Sequence, residues 1–260
     1  MRYIISDIHG CYSEYRKLLN KINFSDTDEL YILGDVVDRG PEPIRVLQDM
    51  MSRPNVFYIL GNHDYVMLHI LSKLTVVITA ENAENHLSAD DILAYQMWMM
   101  DGGAVTAKQF CALPNLEKMD ILDYLREATA YETIEHDGKL YILSHAGISE
   151  LDTSKELDEY NVDDFLWAET DYSKQSFPGN RITLVTGHTP TMTFREDGNP
   201  LVYIGNGHIA LDCGCVFGGA LAAYCVETGK VIYVKSLEKD KTKTAKSELE
   251  LMSVEFSPWI

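Results

Sequence analysis

The sequence predicts an α/β protein in which a parallel sheet carries helices and a second sheet packs against the first. Three observations predict it. From Arg2 to Asp64, short apolar β-rich runs alternate with stretches of helical periodicity, the pattern of repeated strand–loop–helix units. From about 65 to 128 the pattern is helical, which reads as an insertion on the sheet inside one domain spanning 1–260. After Tyr131, short β runs are separated by Gly, Asn and Asp, and the antiparallel strands near the C-terminus suggest the second sheet.

Taken in order, Arg2-Tyr3-Ile4-Ile5 is the first strand, followed by Ser6-Asp7-Ile8-His9-Gly10. A helix from about Cys11 to Lys21 then places Tyr15, Leu18, Leu19 and Ile22 on one face. Leu30 to Leu33 is the second strand, and it delivers Gly34-Asp35-Val36-Val37-Asp38-Arg39-Gly40 into a loop. Proline is tolerated in a first helical turn, so Pro41-Glu42-Pro43 opens a helix through about Met51, with Ile44, Leu47, Met50 and Met51 at helical spacing. Asn55 to Leu60 is the third strand, ending in Gly61-Asn62-His63-Asp64. Three such units in succession indicate a parallel sheet with right-handed crossovers.

In the helical region Asp90 to Met100 and Met119 to Glu127 are the clearest segments, and Asp101-Gly102-Gly103 breaks the first. The cluster Met97-Trp98-Met99-Met100 reads as core packing. Tyr131 to Glu135 and Lys139 to Leu143 flank His136-Asp137-Gly138, a hairpin signal, and the second strand runs into Ser144-His145-Ala146-Gly147. Glu150 to Asp171 is an acidic loop with a short helix, in which Phe165-Leu166-Trp167 should dock on the core. Ile182 to Thr186 is a strand ending in Gly187-His188-Thr189-Pro190. Further strands are expected at Leu201–Ile204, His208–Asp212, Ala220–Val226 and Lys230–Val234. A charged tail follows from about 237 to 260, with Val254 to Ile260 apolar enough to dock.

Composition bounds the function. The chain has 260 residues, 46% apolar and 24% charged, which is ordinary for a folded domain and excludes disordered and collagen-like classes. No apolar run approaches the roughly 18–20 residues of a membrane helix, and Tyr3-Ile4-Ile5 is interrupted too early for a signal-peptide core, so a cytoplasmic location without membrane attachment is expected. Five cysteines without a secretory signal are expected to stay reduced, and Cys213-Gly214-Cys215 reads as a pair of buried structural thiols. A formal charge of −18 argues against a nucleic-acid partner, because phosphate backbones need a basic face. An acidic protein that handles phosphate must supply positive charge locally, and metal ions do so.

The polar residues at strand ends form a set: Asp7 and His9, Asp35 and Asp38, Asn62 and His63, His145, and His188. Any one of them has an ordinary structural explanation, and a Gly-Asp at a strand end is as readily a turn. Five loops of this kind, delivered by one sheet edge, indicate a common site. Asp35 is the natural carboxylate to bridge two metal ions, with imidazoles and an amide oxygen completing each shell. Such a pair activates water for in-line attack on phosphorus. His63 is then free to act as general acid, Asp38 can orient it, and Arg39 can grip the phosphate in a fork.

These residues carry a resemblance. Asp7-Ile8-His9, Gly34-Asp35-Val36-Val37-Asp38-Arg39-Gly40, Gly61-Asn62-His63-Asp64, His145-Ala146-Gly147 and Gly187-His188-Thr189-Pro190 resemble the calcineurin-like metallophosphoesterase superfamily, and specifically bacterial and phage PPP-type serine/threonine protein phosphatases. Ile209 to Gly219 is similar to the C-terminal signature of that group. The resemblance implies a four-layer α/β/β/α sandwich with a dinuclear centre. Asp7, His9 and Asp35 would bind one metal, and Asp35, Asn62, His145 and His188 the other. It also implies His63 as acid, Asp38 as its partner and Arg39 as phosphate ligand. Two departures stand out. Asp101-Gly102-Gly103 after Trp98 resembles a Trp and Asn-Gly-Gly element with Asp in place of Asn, and Trp167-Ala168-Glu169-Thr170 lacks the arginine of a Trp-x-Arg-Glu pattern. Arg181, shortly before His188, is the substitute available in sequence for a second phosphate-binding arginine.

The leading expectation is a metal-dependent phosphomonoesterase that hydrolyses phosphoserine or phosphothreonine in proteins by direct attack of a dimetal-bound hydroxide. It would carry two divalent ions, manganese first, with iron or zinc as alternatives. The rival is a hydrolase of symmetrical dinucleoside polyphosphates, whose sequences are similar in the same motifs. A non-catalytic phosphate-binding regulatory protein is the third reading, and the complete ligand set with the His63–Asp38 pair speaks against it.

Overall fold

The computed structural model describes residues 1–79 and 86–237. The three strands expected at the N-terminus form as β1 (Arg2–Ile5), β2 (Glu29–Leu33) and β3 (Val56–Ile59). They are parallel, in register Tyr3↔Leu30 and Leu30↔Val56, and are joined by α1 (Tyr12–Lys21) and α2 (Pro43–Met51). The apolar stripes called for by helical spacing are the buried ones: Tyr15, Leu18 and Leu19 on α1, and Ile44, Leu47 and Met50 on α2. Proline opens α2 as expected, since its missing N–H is an orphan in a first turn.

The helical region comprises α3 (Asn62–Leu74), α4 (Ala89–Trp98), α5 (Ala104–Cys111) and α6 (Asn115–Arg126). The α3 start is fixed by a buried carboxylate, Asp64 Oδ2, which accepts the Gly61 N–H at 3.1 Å. Asp101-Gly102-Gly103 breaks the helix as expected, because Gly102 takes φ +98°, a conformation closed to most side chains. The methionine cluster departs from expectation. Trp98 is buried and Met99 packs against the same core, but Met100 is 89% exposed and Met97 lines a cavity, so the cluster is core only in part.

The hairpin forms as β4 (Tyr131–His136) and β5 (Lys139–Ser144), with Asp137 and Gly138 both at positive φ in the turn. The acidic loop carries α7 (Val162–Leu166), whose Phe165 and Leu166 are buried while Trp167 is only partly so. β6 (Ile182–Thr186) pairs parallel with β5, and α8 (Thr191–Phe194) follows it. The remaining strands are β7 (Tyr203–Gly205), β8 (His208–Ala210), β9 (Ala220–Cys225) and β10 (Val231–Lys235).

Those last four strands do not form a sheet of their own. β7 and β8 complete a second sheet in the order β4-β5-β6-β8-β7, with β8 parallel to β6, whereas β9 and β10 extend the first sheet to β10-β9-β1-β2-β3. The reason is legible in β9. All six of its residues are buried, so it needs cover on both faces and a neighbour on both edges, and a place between β10 and β1 supplies these.

The two mixed sheets pack face to face with helices around them, an α/β fold of two stacked sheets as expected. Ile4, Leu33 and Ile59 from the first sheet meet Leu143, Val185 and Ile209 from the second, while Tyr3, Ile5 and Ile32 turn to the helices. The outer face of the second sheet is covered more thinly, by Phe165 of α7 and Phe177 over Ile142 and Leu184. Among the described residues no helix is long and apolar enough to cross a membrane. The expected tail, with its docking segment at Val254–Ile260, lies outside the described residues beyond Leu237.

Ile4 is fully buried between the sheets. Ile4→Ala should therefore destabilise the protein by about 2–5 kcal/mol, read as a lowered urea midpoint with an unchanged slope. An unshifted midpoint would contradict the inter-sheet core described above.

Candidate metal centre and active site

β1, β2 and β3 end at the same edge as β5 and β6, and the loops leaving those ends interlock. The N–H groups of Asp7, His9 and Gly10 donate to the carbonyls of Gly34 (3.2 Å), Asp35 (2.9 Å) and Val36 (2.9 Å), so the first two loops continue the ladder past the strands. Gly34 and Gly61 let the second and third loops touch: a Cβ on Gly34 would lie 2.4 Å from the Gly61 Cα, and one on Gly61 2.2 Å from the Asp35 nitrogen. Six side chains named from sequence sit on backbone at positive φ: Asp7, His9, Asp35, Asp38, Arg39 and His188, from +43° to +68°. Each such residue costs of order 1–3 kcal/mol, a strain that persists only where surrounding contacts hold it.

Those contacts aim the donors. His9 Nδ1 lies 2.7 Å from the Val37 carbonyl and His145 Nδ1 2.7 Å from that of Leu33, so both rings donate there and turn an unprotonated Nε2 inward. Asp35 receives these rings on its two oxygens, Oδ2 at 3.5 Å from His9 Nε2 and Oδ1 at 3.5 Å from His145 Nε2, and Oδ1 also accepts the His63 backbone N–H at 3.0 Å. Asn62 Oδ1 is 2.8 Å from His145 Nε2 and 3.0 Å from His188 Nδ1, and those two nitrogens are 3.2 Å apart. Asp7 accepts the His188 backbone N–H at 3.0 and 3.1 Å, which ties the second sheet to the first, and it also accepts the Ser6 hydroxyl.

This donor set fits divalent cations. His145 Nε2, His188 Nδ1 and Asn62 Oδ1 crowd three acceptor atoms together, and His188 alone can supply a proton among them. Each inward imidazole that donates its other nitrogen to a carbonyl has the tautomer and support usual in metal ligands. Burial pushes the His9 and His145 pKa values down, and burial with the neighbouring His145 ring pushes His188 down to about 3, so these rings are neutral bases. Burial would push Asp35 up, but attraction to the imidazoles of His145, His63, His9 and His188, which take up charge at the low pH where a carboxylate titrates, holds it below the usual carboxylate range. Ligand atoms of Asp35, His145 and His188, and of His9, Asp35 and His63, fall in groups within 4.8 Å.

His63 differs from the other rings in its partners. Its Nδ1 is 2.8 Å from Asp38 Oδ2, and its Nε2 is 3.5 Å from Asp101 Oδ2. Burial and the Arg39 charge lower its pKa, yet Asp35, Asp38 and Asp101 outweigh them and the net direction is up. Asp38 is itself fixed by the Trp98 Nε1–H at 2.8 Å and by the Thr106 hydroxyl at 2.6 Å. Arg39 places Nη1 2.9 Å from His9 Nε2 and Nη2 3.0 Å from Asp101 Oδ1, with its guanidinium over the Phe217 ring. Beside this group opens a cavity of about 460 Å³, lined also by Met97, Trp167 and Glu169.

All eight strand-end residues and Arg39 are thus brought together, but Arg181 is not. It is exposed at the start of β6, the end opposite His188, and does not line the cavity, so no second arginine reaches the site by that route. The Cys213-Gly214-Cys215 thiols are buried as expected, although they do not face one another: Cys215 meets Cys11 and Glu14 instead. Sequence reading missed Asp64, Thr106 and Asp212. Asp64 Oδ1 accepts the Val36 and Val37 N–H groups at 3.1 and 3.3 Å and so holds the loop that carries Asp35. Its position three residues after Gly61, that of a capping box, was an available signal. Burial raises both Asp64 and Asp212 to about 7. Thr106 carries no signal in sequence, since its role depends on where α5 packs.

The fold and this cluster define a phosphoesterase. The chain belongs to the calcineurin-like phosphoesterase family, whose sequence model matches residues 3–234, and is a hydrolase of the metallophosphoesterase superfamily, a family that implies divalent metal ions. Among individual relatives, it is 35% identical over 99 residues to a symmetrical bis(5'-nucleosyl)-tetraphosphatase of Wigglesworthia glossinidia brevipalpis, covering 37% of this chain and 36% of that protein. It is 32% identical over 149 residues to the protein of the same name from Buchnera aphidicola subsp. Acyrthosiphon pisum (strain 5A), covering 56% of this chain and 44% of that one. The chain therefore spans less than half the length of these curated relatives. A solved structure described as a candidate diadenosine tetraphosphatase shares the fold at a TM-score of 0.60 and 22% identity, covering 92% of this chain and 94% of its own.

These relatives correct the leading expectation from sequence. They are named for dinucleoside tetraphosphate hydrolysis, so the reading as a serine/threonine protein phosphatase acting on phosphoproteins is set aside in favour of its rival. The error has a clear source. The strand-end motifs that carried the expectation are the ones the two readings have in common, so they could not separate them.

Asp35→Asn should lower metal content at both positions, read by elemental analysis after loading with manganese and desalting. Retention of two ions per chain would contradict a bridging carboxylate.

Proposed function

We propose that this chain hydrolyses symmetrical dinucleoside polyphosphates, cleaving diadenosine tetraphosphate at its centre into two molecules of ADP. What carries the reading is the name borne by relatives 32–40% identical in sequence. The cavity supports it: about 460 Å³ beside the ligand cluster, with Met97, Trp98, Trp167 and Phe217 on its walls, offers flat apolar surface of the kind on which a nucleobase stacks.

In this reading Asp7, His9 and Asp35 hold one divalent ion and Asp35, Asn62, His145 and His188 the other, with manganese the first metal to test and iron or zinc next. When bound, the ions supply Lewis acidity that lowers the pKa of water towards about 7 and offsets phosphate charge. The chain does the rest. Arg39 fixes a phosphate oxygen, and its unpartnered buried Nε supplies a donor that no described side chain uses. His63 in its doubly protonated form hands the Nε2 proton to the departing oxygen and keeps the Nδ1 proton, which Asp38, clamped by Trp98 and Thr106, accepts in a hydrogen bond that stabilises the charged ring. The departing group is a nucleoside diphosphate, far less basic than a serine alkoxide, so the demand on the acid is modest.

Two outcomes test this. Manganese-loaded protein given diadenosine tetraphosphate should yield ADP alone by chromatography; AMP with ATP, or no turnover with any of the three metals, would refute the reading. His63→Asn should lower kcat by about 10²-fold, the low end for general acid catalysis, without changing metal content. Parallel loss of metal would identify His63 as a ligand instead.

A further inference from the structure

We propose that Asp101 selects the charge of the phosphate this site accepts, favouring a singly charged internal phosphate over a doubly charged terminal one. The inference deepens the proposed reaction and rests on the same site. Its basis is an unusual neighbour for a phosphate ligand. Asp101 Oδ1 is 3.0 Å from Arg39 Nη2, and its Oδ2 is 3.5 Å from His63 Nε2, so one carboxylate faces both groups that would meet the substrate.

The carboxylate is held there by backbone. Asp101 lies in the turn between α4 and α5, where Gly102 at φ +98° accepts the Arg39 backbone N–H at 3.1 Å through its carbonyl. A Cβ on Gly102 would lie 2.6 Å from Arg39 Cγ, so the turn that carries Asp101 is in direct contact with the arginine. Among the described residues lining the cavity, Arg39 is the one side chain of fixed positive charge, whereas Asp35, Asp101 and Glu169 are carboxylates. Arg39 therefore meets a phosphate with part of its charge already offset.

Charge follows from substrate chemistry. A terminal phosphomonoester carries about −1.5 to −2 at pH 7 because its second ionisation lies near 6. An internal phosphate of a polyphosphate chain is substituted on both sides and has a single ionisable oxygen. Repulsion by Asp101 acts on both but falls harder on the terminal group. At an effective dielectric near 20, one further charge about 6–12 Å away, on the far side of the guanidinium, is expected to shift relative kcat/KM by about 10- to 100-fold.

The test uses two synthetic esters with the same leaving group and different charge, p-nitrophenyl phosphate and bis(p-nitrophenyl) phosphate, with manganese-loaded wild type, Asp101→Asn and Asp101→Ala. Both substitutions should raise the ratio of kcat/KM for the monoester to that for the diester by about tenfold or more, chiefly through a lower KM for the monoester. Asparagine keeps the size and hydrogen bonding of the side chain, and alanine guards against a substitute contact. An unchanged ratio, or a parallel fall on both esters, would overturn the proposal. Because neither ester is a nucleotide, a wild type inert towards diadenosine tetraphosphate would count against the proposed reaction alone and leave this comparison decisive for Asp101.

Discussion

The site depends on one carboxylate, that of Asp35. Its two oxygens face His9 and His145, residues from different sheets, while the His63 backbone N–H fixes the plane between them. A carboxylate so enclosed would be costly to bury alone, and its neutral imidazole neighbours leave it without a full counter-charge. The arrangement makes sense as a template for cations that bring their own charge. Around it, Asp64 holds the loop, Gly61 gives it room, and the Leu33 carbonyl sets the tautomer of His145.

A chain of formal charge −18 meets its phosphate through a small, local reversal of sign. Within the cavity only Arg39 contributes a fixed positive charge among the described residues, and it is shared between His9, Asp101 and the face of Phe217. Net attraction of substrate therefore falls on bound metal, and the protein's own charges act as a filter rather than a lure. Trp98 illustrates the economy of the design. Its ring packs under Gly103 and its N–H holds Asp38, so one buried residue serves core and site together.

Much of this was legible in sequence, for physical reasons. Strands β1 to β3 and helices α1 and α2 were recognisable because hydrophobic period and turn residues agree there, and the loops after strands carried the metal-binding types at parallel-strand ends. The C-terminal strands were legible individually but not in their partners. β9 and β7 read alike as short β runs, and only two-sided burial sends one beside β1 and the other to the far edge of the second sheet. Arg181 failed because its nearness to His188 along the chain spans the length of a strand, which carries the two to opposite edges. Asp101 was noticed as a departure from pattern, but its contacts with Arg39 and His63 depend on a glycine turn that no period announces.

Gly34 and Gly61 bind nothing, yet the strand ends can meet only because both lack a side chain. Anyone comparing related chains can use them as a ledger of competence independent of the ligands. A chain that keeps every histidine and aspartate but carries a larger residue at either position has had its second and third loops wedged apart, and is better classed with inactive descendants than with enzymes.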